Sequence, residues 1–228
     1  MRTIIVVLFL LLYTIVSLPM YLIGFILGKM DPKKKVRMSQ RFVAGGFRCI
    51  LFLSGVKVTV KGKENQIHDK AALYVFNHRS FFDIVVGYAT APIPSAFVSK
   101  KEIAKVPMIS WWMKYLNCLF LDRDDIRQGM KVILTGIELM KEGTNIFIAP
   151  EGTRNSSDEL LPFHEASFKL AEKSKSPIVP VAMNNMDAVL EQHMPWIRRT
   201  HVIIEYCEPI YMDSMEPVSY THLRAHET

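Results

Sequence analysis

The amino-terminal part of the chain is a long apolar segment, because no charged residue lies between Thr3 and Gly28. A helix of those 26 residues is about 39 Å long at ~1.5 Å per residue, and the hydrocarbon core of a bilayer is about 30 Å thick. The pattern predicts a membrane-associated helix in one of three arrangements: a tilted spanning helix, a monotopic hairpin broken at Pro19, or a signal peptide. The length of the segment and the lack of a small-residue cleavage pattern near Gly28 argue against a signal peptide.

A second helix is predicted over residues 38–55, in which Arg41 and Arg48 are the only charged residues. Its large apolar side chains suit two positions. An amphipathic helix in the membrane interface turns such a face to lipid, whereas a core helix buries it against the rest of the domain. We favour the interfacial position and keep the core helix as the alternative.

From residue 56 onward the pattern becomes that of short strands alternating with helices. Val56, Val58 and Val60 alternate with polar residues, which predicts a half-buried strand. Apolar residues recur at helical spacing over 125–141. Six further strands are predicted at 72–76, 95–99, 118–121, 145–149, 178–182 and 202–206. This alternation predicts an α/β fold, in which a largely parallel or mixed sheet is flanked by helices and follows the membrane-associated segment.

The positive charge of the chain is concentrated beside the apolar segment. Residues 1–37 carry six basic and one acidic residue, whereas the other 191 residues carry 22 basic and 21 acidic residues. A net charge of +6 distributed in this way indicates a membrane surface and argues against nucleic acid as a partner. The positive-inside tendency predicts that the chain after residue 29 lies on the cytoplasmic face of the cell membrane, where the basic cluster can bind anionic head groups.

Length and composition fit one compact domain with a small appendage. The chain has 228 residues, of which 50% are hydrophobic and 22% are charged. Its three cysteines are too few and too scattered for a disulfide framework or a zinc site, and no metal centre is expected. We divide the chain into a membrane anchor with interfacial helices at 1–55, an α/β domain at 56–218 and a tail at 219–228. The tail resembles a translated sequencing adapter, so we expect it to be non-native and the natural carboxy terminus to be missing from about residue 218.

A histidine and an aspartate five residues apart follow the predicted strand at 72–76. His78 precedes a helical stretch, and Asp83 falls in its first turn if Ser80-x-x-Asp83 is a capping box. A turn at Ser80 then lets the Asp83 carboxylate hold one imidazole nitrogen and leaves the other free to act as a base. The alternative is that Asp83 only caps the helix.

Three later segments also place polar or special residues at strand ends. Asp122-Arg123 follows one strand, and an arginine there can clamp a phosphate, although an ordinary surface turn fits equally well. The segment 150–155, Pro-Glu-Gly-Thr-Arg-Asn, follows another strand and combines a glycine, a cation and an acceptor, with a plain turn as the alternative. Pro180 lies inside a predicted strand, which suggests an edge or a bend, and we favour a purely structural role for it.

The order of these motifs resembles that of the glycerolipid acyltransferase family. The resemblance covers residues ~36–210 and rests on four segments: NH-x4-D at 77–83, F-L-D-R at 120–123, P-E-G-T-R at 150–154 and I-V-P-V at 178–181. It implies a membrane-bound enzyme of phospholipid biosynthesis that moves a fatty acyl group from acyl-CoA or acyl carrier protein to the sn-2 hydroxyl of lysophosphatidic acid. Alternatives are glycerol 3-phosphate or another lysolipid as acceptor, a non-catalytic lipid-binding relative, and a thioesterase or lipase.

The resemblance also assigns roles to residues. His78 is expected to act as the general base, oriented by Asp83. The acceptor is expected to be bound by Arg123, Glu151, Gly152, Thr153 and Arg154, with Lys100 or Lys101 as a further cation. No cofactor is expected, because acyl-CoA or acyl carrier protein is a co-substrate.

The sequence departs from the family pattern near the acceptor. Asn117 stands where the family usually has glycine, Asn155 where it often has serine, and His164-Glu165-Ala166 where it usually has a lysine, a variable residue and a glycine. These departures leave the acid–base pair intact and place the acceptor head group in question.

Overall fold

The protein begins with two long antiparallel helices that form a hairpin. The computed structural model describes residues 1–157 and 159–211, so the predicted tail at 219–228 lies outside the described residues. Helix α1 (Arg2–Met30) runs through Pro19 without a break. The chain turns instead at Asp31, whose side chain accepts a hydrogen bond from the Lys34 amide and caps α2 (Pro32–Ser54). A hairpin is therefore present, but its break lies at Asp31 and not at Pro19.

Close packing joins the two helices midway along the hairpin. The Tyr13 hydroxyl donates to the Phe42 carbonyl at 2.9 Å, and the two rings stack at 4.9 Å. A Cβ atom added at Gly46 would lie 2.5 Å from the Tyr13 ring, so only glycine permits this approach.

The inner face of α2 belongs to the hydrophobic core of the domain. Val43, Ile50 and Leu51 are buried in it. The fully buried Gln40 side chain donates to the Pro92 carbonyl and accepts from the Ser95 amide, and the Arg48 guanidinium donates to the Ala89 carbonyl. The core position that we kept as the alternative therefore describes the inner face of this helix, whereas its outer face leaves Phe52 83% exposed.

The remaining elements form a seven-stranded mixed sheet flanked by helices, as the sequence predicts. The sheet order is β1-β7-β6-β2-β5-β3-β4, and every neighbouring pair is parallel except β6 and β7. The strands are β1 (Lys57–Lys61), β2 (Leu73–Phe76), β3 (Ser95–Lys100), β4 (Leu119–Leu121), β5 (Asn145–Ile148), β6 (Ile178–Asn184) and β7 (His201–Tyr206). The helices are α3 (Phe82–Thr90), α4 (Ile109–Tyr115), α5 (Ile126–Lys141) and α6 (Lys169–Ser174).

Both faces of the sheet are covered, which explains why its central strands are apolar throughout. One face packs against α2, α3 and α4, and the other packs against α5 and α6. On the first face three aromatic rings from adjacent strands are stacked: Tyr74 and Phe97 lie on either side of Phe147, with ring centroids 4.5 and 4.6 Å away. The three rings lie at matching register positions, so their stack ties β2, β5 and β3 together.

Pro180 lies in an interior strand, so of its two predicted settings, an edge or a bend, the edge is excluded. Strand β6 pairs with β2 on one side and β7 on the other. Pro180 stands one residue before the first β6–β7 pair, Val181 with Tyr206, and its carbonyl accepts from the Cys207 amide. Because Ile178 pairs next with Ile210, one extra residue is inserted on the β7 side. The proline therefore occupies a bulge, where a missing amide interrupts no regular ladder.

Candidate active site

Five parallel strands bring the predicted motifs to one edge of the sheet. Strands β6, β2, β5, β3 and β4 run in the same direction, so their carboxyl ends meet there. His78 follows β2, the segment 150–155 follows β5, Lys101 follows β3 and Arg123 follows β4. Residues far apart in sequence thus gather at the edge where open α/β sheets bind ligands.

His78 and Asp83 form a direct hydrogen bond. The Nδ1 atom of His78 lies 2.7 Å from Oδ2 of Asp83, and the same oxygen accepts from the Arg79 and Ser80 amides, each at 2.7 Å. The Ser80 hydroxyl in turn accepts from the Phe82 amide. The Asp83 half of the predicted capping box is present, whereas the Ser80 hydroxyl bonds to the Phe82 amide and not to the Asp83 amide, and the N-cap of α3 is Phe81. These bonds bend the chain so that residues five apart can meet.

The environment of Asp83 fixes the orientation of the imidazole. Its side chain is fully buried, and burial raises the pKa of this carboxyl, while hydrogen bonds from His78, Ser80 and Arg79 oppose the rise. A carboxylate acceptor at Nδ1 favours the tautomer with hydrogen on that atom. The Nε2 lone pair of His78 is then available to accept a proton, and 23% of the His78 side chain is exposed.

The loop after β5 is attached to the backbone of His78. The Asn155 amide donates to the His78 carbonyl at 2.7 Å. The carboxylate of the buried Glu151 accepts from the Asn155 side chain and the Leu161 amide, at 2.8 and 3.0 Å. In this structure Glu151 therefore holds the loop in place, and its predicted contact with the acceptor stays a prediction, as does that of Thr153.

Gly152, Arg123 and His164 come together in space. Gly152 has φ of +71°, and a Cβ added there would lie 2.8 Å from Nε2 of His164 and 3.8 Å from Nε of Arg123. Partial burial lowers the pKa of the Arg123 guanidinium, and the charges of Glu102 and Asp124 oppose that change. An imidazole and a guanidinium thus flank the bare Cα of Gly152, where an anion can approach the backbone.

Lys100, the last residue of β3, and Lys101, which follows it, differ in their partners. The ammonium group of Lys101 lies 2.6 Å from the Asp122 carboxylate, which raises the pKa of Lys101 and lowers that of Asp122. The Gln128 side chain bonds to the Asp122 amide and the Phe120 carbonyl, which fixes the turn that carries Arg123. Lys101 is therefore neutralised by a neighbour, and Lys100 is the better candidate for a free cation.

Two residues of this region have structural roles that the sequence did not assign: Asn77, which belongs to the motif at 77–83, and Glu191, which belongs to no motif. The Asn77 side chain donates to the Met183 carbonyl and accepts from the Met183 amide, and so joins the ends of β2 and β6. Glu191 contacts Ser80, Phe81 and Arg154. An asparagine directly after a strand was a usable signal, whereas Glu191 lies in an aperiodic segment that offers none.

If Gly152 contacts the acceptor, as the motif resemblance implies, its replacement by alanine is expected to impair acceptor binding. The left-handed backbone costs alanine about 1 kcal/mol, and the added methyl group meets the His164 ring at 2.8 Å. We expect a rise of roughly 10-fold in KM for a phosphate-bearing acceptor and a fall of a few degrees in melting temperature. Gly143→Ala is the matched control, because Gly143 also has positive φ, +93°, but no neighbour within 4 Å of the added atom. An equal KM effect in both variants would contradict the steric explanation.

Comparison with known proteins identifies the family. The family model described as Acyltransferase matches residues 57–184. A 1-acyl-sn-glycerol-3-phosphate acyltransferase of Saccharomyces cerevisiae is 30% identical over 185 residues, which cover 79% of this chain and 61% of that protein. A protein of the same name from Borreliella burgdorferi is 29% identical over 149 residues, covering 65% and 60% of the two chains.

A solved structure has the same fold. The 1-acyl-sn-glycerophosphate acyltransferase of Thermotoga maritima superimposes with a TM-score of 0.72 at 24% identity, and the match covers 99% of this chain and 93% of that one.

The chain belongs to the acyltransferase family, as the motif order predicts. It spans less than two thirds of the length of the curated relatives, for example 61% of the yeast protein.

Proposed function

We propose that the protein is a membrane-associated 1-acyl-sn-glycerol-3-phosphate acyltransferase. The observation that carries this proposal is the hydrogen-bonded His78–Asp83 pair at a sheet edge that also holds Arg123 and Arg154. The names of the yeast and Borreliella relatives support lysophosphatidic acid as the acceptor and phosphatidic acid as the product. The donor is an acyl thioester, either acyl-CoA or acyl carrier protein.

In the proposed reaction His78 acts as a general base. Its Nε2 atom takes the proton of the acceptor hydroxyl while that oxygen attacks the thioester carbonyl. The tetrahedral intermediate expels the thiolate, which receives the proton back from the imidazolium, so an ester and a free thiol result. Asp83 stabilises the imidazolium between these two transfers, as in hydrolase triads. No enzyme nucleophile is needed, because the substrate supplies the alcohol.

Cations at the same edge are proposed to bind the acceptor phosphate. Arg123 and His164 lie beside Gly152, and the side chain of Arg154 is 43% exposed, with its guanidinium over the ring of Phe81. Guanidinium groups bind phosphate oxygens through two parallel hydrogen bonds, which suits both arginines. Lys100 adds a further positive charge, whereas Lys101 is engaged by Asp122.

The amino-terminal hairpin is proposed to attach the protein to one leaflet of the membrane. Among the described residues, α1 is the helix long and apolar enough to cross a membrane. However, α1 contacts the domain at two separated points: Thr3, in its first turn, accepts a hydrogen bond from the Ile197 amide, and Tyr21, well along the helix, stacks on Tyr115 at 4.3 Å. A helix held against the domain from Thr3 to Tyr21 lies beside it over most of its length, so we propose monotopic attachment with the domain on the cytoplasmic face.

Cysteine labelling is expected to place both ends of α1 on the same side of the membrane. In a variant without Cys49 and Cys207, cysteines would be introduced singly at Arg2 and Lys33. Sealed inverted vesicles are treated with a membrane-impermeant maleimide, and we expect both positions to be labelled to a similar extent. Labelling of only one position, with the other protected until detergent is added, would show a spanning helix.

One assay tests the proposed function. Membranes containing the protein receive labelled acyl-CoA or labelled acyl carrier protein, each with lysophosphatidic acid, with glycerol 3-phosphate, or with no acceptor. We expect labelled phosphatidic acid only with lysophosphatidic acid. Free fatty acid released without an acceptor would indicate a thioesterase instead, and acylation of glycerol 3-phosphate alone would reassign the acceptor.

A further inference from the structure

A carboxylate outside the family motifs is joined to the loop between His78 and Asp83. Glu191 begins a short 3₁₀ turn, Glu191–His193, that lies between β6 and β7. Its Oε2 atom accepts from the Ser80 hydroxyl at 2.6 Å, and its Oε1 atom accepts from the Phe81 amide at 2.7 Å. The Glu191 side chain is only 18% exposed. Both bonds are short and charge-assisted, and the bond to Ser80 is partly buried, whereas the bond to the Phe81 amide lies at the surface.

Glu191 and Asp83 together bind every backbone amide in the turn that precedes α3. Asp83 accepts from the amides of Arg79 and Ser80, and Glu191 accepts from that of Phe81. These amides have no partner within a helix, and without the two carboxylates they would lack fixed acceptors. The position of the His78 ring depends on this turn, because the ring bonds to the same Asp83 oxygen.

The same carboxylate also holds the cation proposed to bind phosphate. Nη1 of Arg154 lies 3.6 Å from Oε1 of Glu191, and the guanidinium lies 4.1 Å above the ring of Phe81. A separation of 3.6 Å is too long for a hydrogen bond. Glu191 therefore attracts Arg154 without occupying its donors, which leaves them free for another anion.

We propose that Glu191 is a positioning residue that sets the distance between the general base and the phosphate-binding arginine. The inference rests on the proposed function and extends it to a residue of the β6–β7 connection. Glu191 acts in two separable ways. Its hydrogen bonds to Ser80 and Phe81 hold the turn that orients His78, and its negative charge attracts Arg154 in competition with the incoming phosphate.

Two substitutions separate these actions. Glu191→Gln keeps an oxygen for the Phe81 amide and an NH₂ group that can donate to the Ser80 hydroxyl, but it removes the charge. We expect its kcat to stay within about 3-fold of the wild type, while KM for lysophosphatidic acid falls 2- to 5-fold because Arg154 loses a competing anion. Glu191→Ala removes both bonds, and we expect its kcat to fall 10- to 100-fold, as misplacement of a reacting group predicts.

The control is Glu205→Ala, since Glu205 is a partly exposed carboxylate on β7 that pairs only loosely with Lys61, at 3.8 Å. Should the Glu191→Ala protein not fold, Ser80→Ala is the second variant: it removes one of the two Glu191 bonds, together with the acceptor of the Phe82 amide, and keeps the Glu191 charge and its bond to Phe81, so a smaller fall in kcat is expected. Equal losses of kcat in Glu191→Gln and Glu191→Ala, or wild-type kcat in Glu191→Ala, would overturn the proposal.

Hydrogen–deuterium exchange gives a readout that does not depend on activity. The peptide covering 78–84 is expected to exchange faster in Glu191→Ala than in the wild type, and at the wild-type rate in Glu191→Gln. Unchanged amide exchange of this peptide in Glu191→Ala would refute the positioning role of Glu191, even if acyl transfer is observed. A wild-type protein without acyl transfer, but with this exchange pattern, refutes the proposed reaction and leaves the structural coupling of Glu191 demonstrated.

Discussion

Replacing His78 by alanine is expected to lower kcat for phosphatidic acid formation by 10²- to 10⁴-fold, the usual contribution of a general base. The acceptor alcohol is almost fully protonated at neutral pH, and among the described residues His78 is the imidazole that a buried carboxylate orients, with Nε2 directed away from that carboxylate. The arginines proposed to bind the phosphate are untouched, so KM for the acceptor is expected to change less than 3-fold. Initial rates over a range of lysophosphatidic acid concentrations give both constants.

The matched control for this variant is His68→Ala, because His68 is exposed and lies before β2, away from the strand ends. Both variants are expected to melt within a few degrees of the wild type, since Asp83 keeps its two backbone amide donors when the imidazole is removed. Retention of more than a tenth of the wild-type kcat in His78→Ala would show that another group removes the proton.

Replacing Asp83 by asparagine is expected to lower kcat by about 10³-fold. The oxygen of asparagine can take the place of Oδ2 and accept from the same three donors, so the His78 tautomer is kept. The negative charge that stabilises the imidazolium is lost. The fall is therefore smaller than the ~10⁴-fold loss seen in hydrolase triads, where the same change also reverses the tautomer.

The pH dependence of kcat distinguishes loss of the Asp83 charge from misfolding of the Asp83→Asn variant. Burial raises the pKa of Asp83, so wild-type activity should fall on acidification at a higher pH than an exposed aspartate would cause. The proton that Asp83 gains at low pH removes the charge on which His78 depends, and Asp83→Asn lacks this titration. Asp69→Asn, a change at an exposed position, serves as control. A kcat in Asp83→Asn equal to that of the wild type would leave Asp83 with only its capping role.

The regular elements could be predicted because their patterns are local. All seven strands appear where alternation or short apolar runs place them, and the helix at 125–141 begins at Ile126. The contact between His78 and Asp83 was also predictable, because Ser80 favours a turn between them. The parallel arrangement of the strands then brings the other motifs to the same edge.

Other features depend on partners that are distant in sequence. No spacing indicates that Lys101 is neutralised by Asp122, or that Glu191 reaches a turn 110 residues earlier. Proline propensity alone favours an edge strand for Pro180. An extra residue in the chain that pairs with β6, near Cys207, allows the proline to lie in an interior strand of the sheet. The hairpin turns at Asp31 and not at the predicted Pro19, because Asp31 caps the start of α2, whereas the long apolar helix α1 accommodates its proline.

The stack of Tyr74, Phe147 and Phe97 restricts how the sheet can change shape to suit different ligands. The stacked rings fix β2, β5 and β3 relative to one another. The proposed base His78, the segment 150–155 and Lys101 follow the carboxyl ends of these three strands. Sliding one strand against its neighbour would break ring contacts worth about 0.5–1.5 kcal/mol per pair in addition to the ladder hydrogen bonds. Differences in ligand preference among proteins with this stack should therefore be concentrated in the loops that follow the strands, whereas the register of the strands stays constant.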